Sequence, residues 1–240
     1  MLEAQRATAY LATITRRASD RRARSTFQFL VGQLCAPGSH ILDLGCGPGI
    51  DPKAYVARGF RVSAYDHDPQ MVELASVTCR SEIGSGQLRL HCGDHRDVLR
   101  EPPAACPVDL VTANFAPLNL IVDLPEAFAT FNRVLGRKGQ VLVSVLSPYF
   151  LGDLKYGWWW QHLPALARIG QYTLAGERGP VIRRCLDAYA RAAAPYFTLV
   201  RLWRCGSSAG IRVVAGRPGR LAWLRLSSCR FMFLLFRRTV

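Results

Sequence analysis

Seven residues, Asp43-Leu44-Gly45-Cys46-Gly47-Pro48-Gly49, carry the most legible chemistry in this chain. They follow an apolar run of strand length and set a carboxylate beside three glycines. A strand that feeds a glycine-rich turn and then a helix makes a nucleotide-type cofactor site. Glycine lets the backbone approach a ligand where a Cβ would collide. The spacing discriminates among cofactors. A dinucleotide fingerprint needs Gly-x-Gly-x-x-Gly, with a pyrophosphate on the helix N-terminus. Here the glycines run Gly45-x-Gly47-x-Gly49, one residue short. Asp43 would repel a pyrophosphate and attract a cationic ligand.

The stretch resembles motif I of the class I S-adenosylmethionine (SAM) dependent methyltransferases, acidic-x-Gly-x-Gly-x-Gly. SAM carries a sulfonium and an ammonium and no phosphate, which suits Asp43. The resemblance extends over residues 38–147. The segment GFRVSAYDHDPQMVELA is similar to the family's second strand. It implies Asp66 as the carboxylate for the ribose hydroxyls, with His67 and Met71 beside the adenine. Two acceptor oxygens suit a vicinal diol, which has two donors. CGDHRD resembles the next segment and implies Asp94 as acceptor for the adenine amine, with His95 covering the ring. VDLVTANFAPLNLI resembles the fourth-strand motif, with Asn114 facing the transfer locus and Phe115 against the methyl group or the adenine. LGRKGQVLVSV resembles the entry to the fifth strand. The implied cofactor set is Asp43, Gly45, Cys46, Gly47, Gly49, Asp66, His67, Met71, Asp94, His95, Asn114 and Phe115. The implied product is S-adenosylhomocysteine. Taken singly, Asp66 and Asp94 also fit helix caps or Asx turns; their joint placement at strand ends favours a site.

The elements that must hold these residues follow from periodicity. Residues 1–36 read as two amphipathic helices, one with Ala4, Ala7, Tyr10, Leu11 and Ile14, the other with Phe27, Leu30, Val31 and Leu34. A charged link, Arg16 to Arg22, joins them. In the family such helices lie over the cofactor as a lid, which would let Tyr10 or Arg16 reach it. Strands are expected at 40–44, 60–65, 87–92, 108–113 and 140–146. Helices are expected at 51–58, 69–79 and 123–135, the last with Asp123 as its N-cap. Residues 136–139 read as a turn. This alternation makes a doubly wound α/β fold with a mostly parallel sheet. Asp43, Asp66 and Asp94 then fall at the strands' C-terminal ends, where ligands bind. Residues 148–179 read as an insertion with short helices, 181–194 as a helix, and 197–205 and 231–236 as strands. Short strands are also expected at 211–214 and 221–226. The whole is one domain: lid 1–36, SAM-binding core 37–147, and substrate-side insertion with C-terminal strands 148–240. With the family's antiparallel ending the sheet has seven strands, the Rossmann-like methyltransferase fold.

Methyl transfer is an in-line displacement at the sulfonium carbon, so alignment and exclusion of water matter most. A hydroxyl acceptor also needs a general base. His162, in the aromatic-rich insertion, is the candidate, and Asn114 the second candidate catalytic group. Tyr10, Tyr149, Trp158 and Trp159 are candidate acceptor contacts; the tryptophans fit core or interface packing equally well.

Half of the 240 residues are hydrophobic, which excludes a disordered chain. The longest uncharged apolar stretches, near 110–122 and 141–152, fall short of the ~18 residues a transmembrane helix needs. No secretory signal is read at the N-terminus. Eight cysteines without a Cys-x-x-Cys pair point to reduced thiols in the cytoplasm rather than to disulfides, and no metal site is expected. The net charge of +14 is uneven: residues 151–240 hold 15 Arg and Lys against three carboxylates. That excess suits an anionic substrate, a carrier protein, a membrane surface or nucleic acid. Asn114-Phe115-Ala116-Pro117 departs from the Asn/Asp-Pro-Pro-Tyr/Phe motif of amino-group nucleic-acid methyltransferases, and no separate RNA-binding module is read. The expectation is therefore a SAM-dependent methyltransferase for a small-molecule, natural-product or quinone-like acceptor, with a homodimer possible. The rivals are a nucleic-acid methyltransferase, a non-catalytic SAM-binding subunit and an NAD(P) oxidoreductase.

Overall fold

A computed structural model describes residues 17–103, 107–176, 179–204, 211–212 and 227–239. Helix α1 (Ala18–Leu34) precedes strand β1 (His40–Leu44). Then come α2 (Ile50–Val56), β2 (Arg61–Asp66), α3 (Pro69–Thr78), α4 (Arg80–Gly84), β3 (Leu88–Cys92) and β4 (Val108–Ala113). After these follow α5 (Leu124–Val134), β5 (Leu135–Leu146), α6 (Gly157–Ile169), β6 (Gln171–Gly176) and β7 (Gly179–Arg184). The chain continues with α7 (Leu186–Ala193), β8 (Phe197–Arg204), β9 (Ile211–Arg212) and β10 (Phe231–Arg238).

The main sheet has the order β3-β2-β1-β4-β5-β10-β8-β9. Its first five strands are parallel, and β10 lies antiparallel between β5 and β8. This is the expected seven-stranded sheet, with the two-residue β9 added at its edge. The chain winds outward from β1 to β3 and returns to β4, so a crevice opens at the C-terminal ends of β1 and β4.

Burial explains the elements. Every residue of β1 is buried, as helices on both faces of a parallel sheet require. On one face, α5 seats Leu124, Ala127, Phe128, Phe131 and Val134 at helical spacing, next to Leu186 and Tyr189 of α7. Asp123 starts α5, its Oδ1 accepting from the Glu126 amide at 3.0 Å. On the other face, Phe27, Leu30 and Val31 of α1 pack with Tyr55 and Phe233.

Four expectations need correction. Residues 136–139 are not a turn before the fifth strand, because β5 begins at Leu135. Val108 pairs with Leu135 and Leu110 with Gln140, so 136–139 bulge out within the pairing. Residues 181–194 are not one helix. Val181 to Arg184 complete β7, which pairs antiparallel with β6, and the helix starts only at Leu186. Contacts of Arg183 and Arg184 with the loops after β4 and β5 override helix propensity there. Most of the charged link is helical: Ala18 to Arg22 begin α1, with Arg21 and Arg22 on its exposed side. In the insertion, one thirteen-residue helix and a hairpin replace the expected short helices. The first lid helix with Tyr10 and Arg16, and the strand expected at 221–226, lie outside the described residues.

Phe128 is fully buried and its ring meets Phe131, Phe197 and Phe236 at centroid distances of 5.7, 6.0 and 5.1 Å. Phe128→Ala removes all three contacts and leaves a cavity, and is expected to cost about 3–5 kcal/mol. Urea unfolding of the two proteins checks this.

Candidate active site

A cavity of about 770 Å³ lies at the crevice. The glycine turn forms its floor. Gly45, Gly47 and Gly49 all have positive φ, at 72°, 55° and 83°. Their roles differ. A Cβ on Gly49 would lie 2.7 Å from Cys79 Sγ and 3.2 Å from the Ala75 backbone, so this glycine permits the packing of α3. A Cβ on Gly47 would meet nothing within 4 Å: this glycine faces the open cavity. The Gly45 and Cys46 amides donate to the Tyr65 carbonyl at 2.8 and 3.1 Å, which ties the turn to β2.

Asp66 ends β2 with both carboxylate oxygens engaged. Oδ2 accepts from the Gly47 amide at 2.7 Å and Oδ1 from the Asp68 amide at 3.0 Å. Each oxygen keeps a further lone pair for a ligand hydroxyl. His67 and Met71 line the same wall. Asp94 follows β3 and is gripped by Arg96, whose Nε and Nη2 reach Oδ2 at 3.0 and 2.5 Å. Burial alone would raise the Asp94 carboxyl; the Arg96 guanidinium and backbone amide outweigh it and hold the carboxyl below its ordinary value. His95 is buried, with Nε2 3.3 Å from Glu126 Oε2.

Beyond β4 the backbone turns sharply, with φ of 61° at Phe115 and 68° at Ala116, values that side chains other than glycine rarely adopt. Asn114, at this turn, is fixed from two sides. Its Nδ2 donates to Asp51 Oδ2 at 3.1 Å, and its Oδ1 accepts from the Phe115 amide at 2.9 Å. Asn114 and Phe115 both line the cavity.

Ten of the twelve cofactor residues read from the sequence therefore line one cavity, Gly45, Cys46 and Asp94 among them. The two exceptions are Gly49 and Asp43. Asp43 is buried beneath the turn, where its Oδ1 accepts from Thr112 Oγ1 at 2.6 Å. Burial first, and then the nearby Asp51 carboxylate, push the Asp43 carboxyl well above its usual range.

The candidate acceptor residues that are described, Tyr149, Trp158, Trp159 and His162, are not brought to this cavity. His162 on α6 sits against the Thr173 carbonyl at 3.3 Å and edge-on to Tyr172. Trp158 stacks on Tyr156, and Trp159 is buried, its Nε1 donating to the Pro148 carbonyl at 3.0 Å. Tyr149 is half-buried near Tyr172 and Cys185, outside the lining. In their place the cavity takes Leu120, Ile121 and Val122 from the loop after β4, and Arg17, Asp20 and Arg24 from α1. Buried Arg184 pins that loop by donating to the carbonyls of Leu118, Ile121 and Val122 at 3.0, 2.7 and 3.2 Å. The signal for the α1 contribution lay in the sequence: Arg17, Asp20 and Arg24 recur at i, i+3 and i+7, one face of a helix. Asp51, two residues past the last motif glycine, carried no separate signal.

The comparisons agree with this geometry. Residues 41–139 match the model of a family described as a methyltransferase domain. This segment holds both the glycine turn and the strand-end carboxylates. Over this segment the chain resembles a methyltransferase domain. A solved SAM-dependent methyltransferase from Clostridium acetobutylicum ATCC 824 superposes with TM-score 0.62 over 99% of each chain, at 13% identity. The 1,6-didemethyltoxoflavin-N1-methyltransferase of Burkholderia thailandensis superposes with TM-score 0.59, covering 98% of this chain and 87% of that one at 16% identity. The described residues thus have the Rossmann-like methyltransferase fold. In sequence, a malonyl-[acyl-carrier protein] O-methyltransferase of Erwinia billingiae (strain Eb661) is 31% identical over 128 residues, 53% of this chain and 47% of that protein. The chain spans about half the length of the curated relatives it matches.

Asp43 ionises at ~pH 4 when unfolded and at higher pH when folded. The folded state holds the extra proton across that window, so stability falls as pH rises through it. Asp43→Asn keeps an acceptor for Thr112 and removes the titration. Thermal melts over a pH series are expected to show a higher Tm for the variant near neutrality and a flatter dependence above ~pH 4.

Proposed function

We propose that this chain binds SAM and transfers its methyl group to a small-molecule acceptor. The observation that carries the reading is the cavity at the strand ends, where an unobstructed Gly47 lies beside acceptor carboxylates on successive strands. The donor set suits SAM. Asp66 offers oxygens to a diol, and Asp94 offers them to an amine. The cavity holds six lining carboxylates against three guanidinium groups, an excess that favours a cationic ligand over a pyrophosphate.

Bound SAM supplies a methyl group made electrophilic by its sulfonium. The chain's residues then align and exclude. Asn114, locked by Asp51, presents a fixed amide at the end of β4. Phe115 gives that locus an apolar ring, which keeps water out and favours displacement over hydrolysis. Leu120 and Val122 are 37% and 74% exposed beside this cavity, and with Ile121 they offer the acceptor an apolar wall. That wall supports an acceptor with an apolar body. A carrier-linked carboxylate is the second reading, favoured by the malonyl-[acyl-carrier protein] relatives and by the basic C-terminal region. Cys35, Cys46, Cys79, Cys92 and Cys185 are free thiols, which supports a cytoplasmic setting.

Calorimetric titration with SAM, S-adenosylhomocysteine and NADH tests the cofactor. Binding of the first two with Kd in the micromolar range (about 1–100 μM) and no binding of NADH are expected. Gly47→Asp adds a side chain and a negative charge where the cavity is open, and Asp66→Ala removes the diol acceptor. Each is expected to weaken S-adenosylhomocysteine by at least about tenfold, the worth of one charge-assisted hydrogen bond, without unfolding the protein. Wild-type affinity in both variants rules out the assignment. Transfer of labelled methyl to apolar-bodied alcohols, amines and carboxylates, compared with a malonyl thioester, separates the two acceptor readings.

A further inference from the structure

Helix α6 shows solvent an aromatic and basic face that the cavity does not use. Tyr156, just before the helix, and Trp160, in its first turn, are 46% and 56% exposed. Leu151, on the short 3-10 turn that precedes them, is 43% exposed. None of the three lines the cavity. Trp160, Pro164 and Arg168 recur at i, i+4 and i+8, so they share one exposed side of the helix, and exposed Lys155 lies at its start. We propose that this face docks on the surface of an anionic lipid bilayer. The proposal is independent of the cofactor reading.

The aromatic side chains are held in place. Trp160 Nε1 donates to the Leu154 carbonyl at 2.9 Å, and the ring meets buried Trp159 edge-on at 5.0 Å. With its N–H spent inside the protein, the exposed part of the indole is hydrocarbon, which gains by leaving water. Tyr156 stacks on Trp158 at 5.9 Å, and Lys155 Nζ lies 5.0 Å over the Tyr156 ring. Scattered apolar side chains are ordinary on a surface; large ones gathered at the start of one helix are a patch. Fixed tryptophan and tyrosine rings flanked by cations suit the interfacial layer, where rings enter the acyl boundary and ammonium and guanidinium groups meet the headgroups. No described helix is long and apolar enough to cross a membrane, so the contact is peripheral.

Charge selects the occupant. From Leu154 to Gly176 the chain has no Asp or Glu. Asp153, just before this segment, is buried with its Oδ2 3.1 Å from Arg183 Nη1. Cations of the cavity are matched within the protein: Arg24 of α1 donates, together with Gln28, to Asp51 of α2, and Arg96 grips Asp94. Among the described residues, Lys155 and Arg168 have no carboxylate partner, so their charge is open to an outside anion. The excess of Arg and Lys over residues 151–240 adds to that attraction. An anionic bilayer supplies phosphates and hydrocarbon together. A nucleic acid supplies phosphates and bases, and Leu151 and Pro164 offer bases no aromatic platform.

Sedimentation of the full chain with vesicles tests this, using phosphatidylcholine alone and an equal mixture of phosphatidylcholine and phosphatidylglycerol. The mixed vesicles are expected to bind at least about tenfold more tightly than the neutral ones. Trp160→Ser is expected to weaken binding to the mixed vesicles by about tenfold or more, and Lys155→Glu combined with Arg168→Glu by about 10- to 100-fold. Trp160→Phe keeps an aromatic ring and the binding, but reduces the quenching of protein fluorescence by lipids brominated on their acyl chains. Circular dichroism and thermal melts show that the variants are folded. Wild type that stays in the supernatant with mixed vesicles overturns the proposal. Equal binding to both vesicle types overturns it too, as does unchanged binding in both the serine and the double variant. A dimer that Trp160→Ser dissolves, without vesicle binding, assigns the face to a second copy of the chain and overturns it. Trp160-dependent binding of tRNA without vesicle binding assigns the face to nucleic acid, with the same consequence.

Discussion

The bond from the Gly47 amide to Asp66 is the contact on which the site depends. It closes the glycine turn after β1 onto the end of β2, so two neighbouring parallel strands present their ends as one rigid lip. The turn itself is held by Tyr65 backbone bonds and needs left-handed φ at three positions. Without the carboxylate, the Gly47 amide would lose the acceptor that aims it. With it, one side chain shapes the cradle, and strand pairing of Asp43 with Ala64 and Leu44 with Tyr65 fixes the spacing.

Around that lip the electrostatics are unbalanced by construction. Asp43, Asp51 and Asp66 crowd around the turn, and burial with mutual repulsion keeps the Asp43 carboxyl protonated to higher pH. Arg24 is the neighbouring cation that offsets part of this. A cation placed there would relieve repulsion already present in the folded chain. The same repulsion lowers the stability of the empty protein, a common exchange between stability and function.

Much of this was legible in the sequence because it is local. The glycine spacing, the strand-end carboxylates of Asp66 and Asp94, and the Asp123 cap each depend on residues close together in the chain. The misses are non-local. Val181 to Arg184 read as helix because Arg183 and Arg184 carry no strand signal. Their partners are carbonyls some 36 to 66 residues away, at Ser147 and Leu118. Asp43 looked like a ligand contact by its place in the motif, but the pleat of β1 turns it toward Thr112. The aromatic run at 158–160 suggested a pocket, yet Trp159 packs inward and its N–H is spent on Pro148.

The fastening of α1 to α2 through Asp51 bears on how such proteins can be recombined. A cut before residue 41 would preserve the motif and the strands that follow it, but would discard Arg24, Gln28 and the wall they build. The portable unit is therefore larger than the segment that matches the family model. Grafting residues 41–139 onto another scaffold would carry over three crowded carboxylates and leave behind the guanidinium that tempers them. Successful exchange between relatives should favour breakpoints upstream of Ala18, and N-terminal helices should travel with the turn they cover.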